Sequence, residues 1–165
     1  GLDGERLLVT QNDIRAIQLA KAALYAGIRL LMDHLEIDTI DEIGLAGAFG
    51  SHIDTIHATV LGLVPDCDPD RVTSVGNAAG AGATIALLSG SARQSIIEVV
   101  DRIEKIETAL EPAFQDHFVD AMAIPHRTAE YPCLSTRITL PERSTASAVG
   151  SERSGRRRRR NGAAR

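Results

Sequence analysis

Aromatic side chains are almost missing from this chain. They make up 3% of its 165 residues, and there is no tryptophan. The core must therefore come from the Leu, Ile, Val and Ala that dominate the 44% hydrophobic fraction, a composition that favours helices packed closely through small residues. Cysteine is scarce as well. Cys67 and Cys133 lie far apart and each stands alone, which excludes a CxxC-type zinc or iron–sulfur site within the chain and leaves no disulfide framework. A reducing, cytoplasmic setting is expected. Long hydrophobic runs are lacking too, because Lys, Arg, Asp or Gly interrupts every apolar stretch. A membrane-spanning helix needs about 20 apolar residues, so neither a span nor a signal peptide is expected. The chain opens on Gly1 and not on Met, which suggests a fragment or a processed product.

A basic surface is missing from the body of the chain. The net charge is -4, yet residues 151–165 hold seven Arg and one Glu, so residues 1–150 are strongly acidic. A nucleic-acid-binding domain carries its basic face within the fold, and that role is not expected here. From Thr128 the sequence becomes rich in Ser, Thr, Arg, Pro and Gly and loses periodicity. The expected division is one domain over residues 1–127 and a disordered Arg- and Ser-rich tail over 128–165.

What is present is a regular alternation. Thr10 and Asp13 form a capping-box variant ahead of a helix expected to reach about His34. Ile14, Ile17, Leu24, Ile28, Leu31 and Leu35 make one apolar stripe on it, and Leu19, Ala23, Ala26 and Leu30 make another. Such a helix is expected between two layers. A strand at 42–46 leads into Gly47-Ala48-Phe49-Gly50, and a helix of about ten residues from Asp54 ends near Gly62. A second strand at 71–75 opens into Gly76-Asn77-Ala78-Ala79-Gly80-Ala81-Gly82-Ala83 and a helix to Leu88. Gly90 breaks it, and further helices are expected over about 92–106 and 111–122. This order predicts an α/β layer with a parallel pair of strands.

The chemistry lies in the two glycine clusters, each directly after a strand. Neither is a P-loop, which needs Lys-Ser/Thr, and neither has the GxGxxG spacing of a dinucleotide fold. With glycine at a strand end, a ligand can approach the backbone closely. His52, Asp54 and His57 are close in sequence, but a loop histidine, a helix cap and an exposed histidine account for them, so no metal site is expected. Asp66, Asp68 and Asp70 alternate like a calcium loop. Arg71 stands where that loop needs Gly and Asn77 where it needs Glu, so the reading fails. Glu98, Asp101, Glu104 and Glu107 read as a solvated face.

Leu45-Ala46-Gly47-Ala48-Phe49-Gly50 resembles the adenosine motif of the actin-like (ASKHA) ATPase and sugar-kinase superfamily. Gly76 through Ala83 resembles its later connecting motif, a packing hinge between two lobes. Together with the segment 10–23 and Phe114-Gln115-Asp116-His117-Phe118, they resemble the C-terminal domain of the reductive activators of corrinoid-dependent methyltransferases, over about residues 7–125. The resemblance implies an RNase H-like, actin-like half-domain with helices packed on a short parallel sheet. It also implies ATP bound between this lobe and another that holds the phosphates and Mg²⁺, with a corrinoid protein as partner. A full-length member couples ATP to reduction of cob(II)amide to cob(I)amide and carries a ferredoxin-like [2Fe–2S] domain as electron donor. Neither the cluster cysteines nor the Asp-containing phosphate motifs occur in this chain, so the expected fragment has no catalytic residue and is inactive alone.

On this resemblance the adenosine contacts are Gln18, Lys21, Gly47, Ala48, Phe49 and Gly50. Lys21 falls within an apolar stripe of the long helix, where a charge must be paired or must snorkel to the surface. It either reaches the nucleotide or lays its stem along the core. Two rival readings remain: a sugar-kinase-like or other phosphotransferase fragment of the superfamily, and a non-catalytic interaction module that retains the fold. Self-association is compatible with each.

Overall fold

The computed structural model describes residues 8–47, 52–124 and 126–139. The longest element is α1 (Gln11–His34), and its start follows from local chemistry. Thr10 Oγ1 accepts the Asp13 backbone N–H at 3.2 Å, and the Asp13 carboxylate accepts the Thr10 N–H at 2.8 Å. This reciprocal box satisfies two donors that a helix start leaves orphaned. At the other end Glu36 turns left-handed with φ 54°, and Ile37 N–H returns to the Met32 carbonyl at 3.0 Å.

Strands β1 (Ile43–Ala46) and β2 (Val72–Gly76) pair in parallel, as the alternation predicts. Their register runs from Ile43 opposite Val72 to Ala46 opposite Gly76, with an irregularity between Leu45 and Ala46 that leaves Val75 as the extra residue. Between them α2 (Thr55–Leu61) is capped by Asp54, whose carboxylate accepts the His57 N–H at 2.9 Å. It ends on Gly62 at φ 72°, a left-handed close that favours glycine.

After β2, α3 (Ala78–Leu88) starts on the expected Asn77 cap, which accepts the Gly80 N–H at 2.9 Å. Ser89 closes α3 and caps α4 (Gly90–Val100), so the break falls where Gly90 predicts it. The second of these helices stops at Val100, short of the expected 106, because Arg102 and Ile103 tighten the chain with bonds back to Val99 and Val100. Then α5 (Pro112–Ala121) packs along α1.

Two expectations need correction. The first concerns α1 as a helix sandwiched between layers. Its buried residues are Lys21, Ala22, Tyr25, Ala26, Leu30 and Met32, whereas Ile14, Ile17, Leu19, Leu24, Leu31 and Leu35 are exposed. The small Ala22 lets α5 approach closely, and the covered face takes Ala26 and Leu30 from the second stripe while the first stays largely exposed. No described residue covers the remaining apolar surface.

The second concerns the boundary at 127/128. Residues 128–139 pack on the body, with a short helix α6 (Pro132–Ser135). Tyr131 and Leu134 join Ala22, Tyr25 and Ala121 in the core cluster. The segment lacks periodicity because a four-residue helix is anchored by two side chains and a cap from elsewhere, not by a stripe. Residues 140–165, the rest of the expected tail, lie outside the described residues. Among the described residues no helix is long and apolar enough to cross a membrane.

Candidate nucleotide-binding site

Parallel pairing puts the carboxyl ends of β1 and β2 at the same edge, so both glycine clusters begin there. Gly47 follows β1 with φ 102°, Gly76 ends β2 with φ 65°, and the Gly47 N–H donates to the Gly76 carbonyl at 2.7 Å. Both conformations are ones that L side chains rarely adopt. A Cβ added to either glycine meets no described atom within 4 Å. In open α/β sheets ligands gather at the carboxyl ends of parallel strands, where loops diverge and backbone donors are free of side chains. Ala48, Phe49 and Gly50, nominated from the sequence, lie outside the described residues.

Gly76, expected as a hinge, lies directly against Gly47 through their hydrogen bond. The sequence carried the signal: two glycine turns that each follow a strand of one parallel pair must share an edge.

Lys21 and Gln18 are one turn apart on α1. Gln18 is partly buried, but the Lys21 side chain is enclosed, with a relative exposure of 2%. Its Nζ donates to the Ala121 carbonyl at 2.5 Å, across from the end of α5. A Cβ on Gly62 would stand 3.3 Å from that amine and 3.2 Å from the Tyr131 hydroxyl. The left-handed close of α2 thus leaves room for both polar ends. The Tyr131 hydroxyl also lies 3.5 Å from the Val64 carbonyl and hydrogen-bonds to Tyr25, whose ring sits 4.4 Å from that of His126. His126 Nδ1 accepts the backbone N–H groups of Thr128 and Ala129 at 3.2 and 2.9 Å.

Burial sets the titration of this cluster. It pushes the Lys21 amine below its ordinary range, and it pushes the Tyr25 and Tyr131 hydroxyls upward. Lys21 is therefore buried on the face that α5 covers, while its stripe neighbours Ile17 and Leu24 are exposed. Instead of snorkelling, it satisfies its amine on a backbone carbonyl 100 residues away. Sequence reasoning had no means of finding Ala121, Gly62 or Tyr131 as its neighbours.

The other acidic and histidine groups resolve into structural roles. Asp54 caps α2 and also meets the His57 ring at 3.1 Å. Asp68 caps the 3₁₀ turn Pro69–Arg71, and Asp70 pairs with Arg137. Asp66 reaches across to α6 and accepts the N–H groups of Cys133 and Leu134 at 2.8 and 3.1 Å. An open cavity of about 500 Å³ lies beside it, lined by Arg29, Asp41, Asp66, Cys67, Arg71 and Cys133 among others. None of Gln18, Lys21 or Gly47 lines that cavity.

Comparison with known proteins gives this arrangement a family. Residues 2–135 match the model described as "C-terminal domain of RACo the ASKHA domain". The chain is 41% identical over 120 residues to "Corrinoid activation enzyme RamQ" of Eubacterium limosum, a match covering 71% of this chain and 20% of that protein. Among solved structures, "Reductive activator for corrinoid,iron-sulfur protein" superposes with a TM-score of 0.67 at 35% identity, covering 72% of this chain and 19% of that one. The chain thus spans about a fifth of the length of these relatives. The helix-rich body on a two-stranded parallel sheet is an actin-like half-domain, and the chain belongs to the family of C-terminal ASKHA domains of corrinoid reductive activators.

Proposed function

We propose that this chain is the adenosine-side wall of an ATP site in a corrinoid reductive activator. The observation that carries this reading is the pair of left-handed glycines, Gly47 and Gly76, joined by a 2.7 Å hydrogen bond at the carboxyl edge of the sheet. An adenine or ribose laid against them would meet backbone alone. Gly47, Ala48, Phe49 and Gly50 form the contact turn in this reading, with Gln18 beside it. Lys21 contributes either by exchanging its Ala121 bond for a ligand contact or by holding α1 in place. A second lobe would hold the phosphates and Mg²⁺.

In the complete activator, ATP bound at this wall drives reduction of a partner's cob(II)amide to cob(I)amide. The electron comes through a [2Fe–2S] domain that is no part of this chain. The setting is cytoplasmic, the corrinoid protein is the partner, and self-association is compatible with the arrangement. The isolated chain binds nucleotide weakly and does not turn it over.

One observation favours the rival reading of a non-catalytic interaction module. The Lys21 amine is already satisfied and enclosed. Calorimetry with ATP and ADP separates the two. Saturable binding that Gly47→Val removes, with the circular dichroism spectrum kept, supports the nucleotide wall. Absence of binding, or binding indifferent to Gly47→Val, supports the interaction module.

A further inference from the structure

Cys67 and Cys133 are isolated in the sequence, but the fold brings them to one place. The Asp66 carboxylate accepts the Cys133 N–H at 2.8 Å and the Leu134 N–H at 3.1 Å, which pins the first turn of α6 onto the residue directly before Cys67. Both cysteines line the same cavity of about 500 Å³, so no packed side chain fills the space beside them. Cys133 is exposed and Cys67 is buried, an asymmetry that gives an outer reagent only one point of entry. Among the described residues no group of three His, Cys, Asp or Glu could hold a metal ion, so the pair lacks the donors of a metal centre.

We propose that Cys67 and Cys133 form a reversible dithiol–disulfide pair that, when oxidised, fastens the segment from Tyr131 onward to the loop before β2. The oxidant is a small disulfide such as oxidised glutathione. The Cys133 thiolate attacks one sulfur of that disulfide and expels one glutathione thiolate. The Cys67 thiolate then attacks the Cys133 sulfur of the mixed disulfide and expels the second. Two protein thiols lose their protons and two electrons, one S–S bond is exchanged for another, and two molecules of glutathione are released. A small thiol in excess reverses both steps.

The surroundings set the rate of this exchange. Burial first, and then Asp68, raise the Cys67 thiol, while Arg71 acts the other way. The hydrogen bond to Asp66 is the main influence raising Cys133. Arg29, Asp38, Asp41 and Glu130 are the other charged groups on the cavity wall. Thiolate is the reacting form, so exchange is slow near neutral pH and accelerates as pH rises. Oxidation would also hold Tyr131 and Leu134 in place, and through them the pocket around the Lys21 amine.

The test uses the full chain treated with oxidised glutathione at about pH 8.5, near the ordinary thiol range. Denaturation and alkylation follow, then intact mass analysis. The expected product is a monomer lighter by two hydrogens with no alkylated cysteine, a peptide joining Cys67 to Cys133, a higher thermal midpoint, and full reversal by dithiothreitol. Cys67→Ser or Cys67→Ala should stop at a glutathione adduct on Cys133, and Cys133→Ser should leave Cys67 unmodified. Two results overturn the proposal. One is wild-type chain that stops at the Cys133 adduct, and the other is a dimer linked through Cys133 with the Cys67 thiol still free.

Discussion

Removing the Lys21 amine separates its structural role from any other. In Lys21→Ala three methylenes leave an enclosed site, which costs about 2 kcal/mol at ~0.8 kcal/mol each. The Ala121 carbonyl loses its donor, a penalty of about 1–3 kcal/mol for a buried acceptor, partly offset because no amine is then desolvated. The net expectation is a destabilisation of about 3 kcal/mol. Lys21→Met keeps the length and removes the charge, so the terms nearly cancel, and a change within about 1 kcal/mol is expected.

The pH dependence is the sharper readout. The folded chain holds the Lys21 amine below its ordinary value of 10.5, so between the lowered value and 10.5 the unfolded chain binds more protons. Stability must therefore rise with pH through that window, and the penalty is fully present below it. Tyr25 and Tyr131 act in the opposite sense above about pH 10, because the folded chain keeps protons that the unfolded chain loses. Wild type and Lys21→Met share the tyrosines, so the difference between their urea-denaturation profiles from neutral to alkaline pH isolates Lys21. Wild type should gain on the variant as pH rises. Parallel profiles, or a Lys21→Ala cost below about 1 kcal/mol, would refute the reasoning.

Other substitutions test the neighbouring features. Gly62→Ala forces a side chain into a left-handed position and within 3.2–3.3 Å of the Tyr131 and Lys21 polar ends, so denaturant titration should show a loss of about 2 kcal/mol. Leu134→Ala empties a fully buried site and should cost about 2–5 kcal/mol by the same assay, whereas a segment outside the packed body would show no change. Asp66→Asn weakens the cap that α6 draws from a distant loop, and the thermal midpoint should fall in keeping with about 1 kcal/mol.

Much of the fold was legible because the signals were local. Thr10 with Asp13, Asp54 and Asn77 announce helix starts through hydrogen bonds to residues three positions on, and those bonds are present. Gly62 and Gly90 mark ends and breaks for equally local reasons. The parallel pairing followed from the order of elements. What was not legible depends on partners far along the chain. Periodicity made α1 apolar on two sides but could not say which face α5 would choose, and the chosen face includes the one lysine of the helix. Tyr131 and Leu134 sat in a stretch that composition assigned to a tail, because a helix of one turn has no period to detect. Asp66, which alternates with Asp68 and Asp70 in a pattern that fails as a calcium loop, caps that helix across 67 positions. In the candidate site, the shared edge of the two glycine turns followed from the parallel order, whereas the hydrogen bond between Gly47 and Gly76 required the pairing register.

The central claim is that nucleotide meets the backbone at the carboxyl ends of β1 and β2. Its most direct test is a titration of the ¹⁵N-labelled chain with ADP, followed through the backbone amides. Saturable shifts centred on Gly47 and Gly76, together with Gln18 of α1, are the predicted result. Shifts confined to the cavity beside Arg29 and Arg71, or no saturable shift at Gly47 and Gly76, would contradict it.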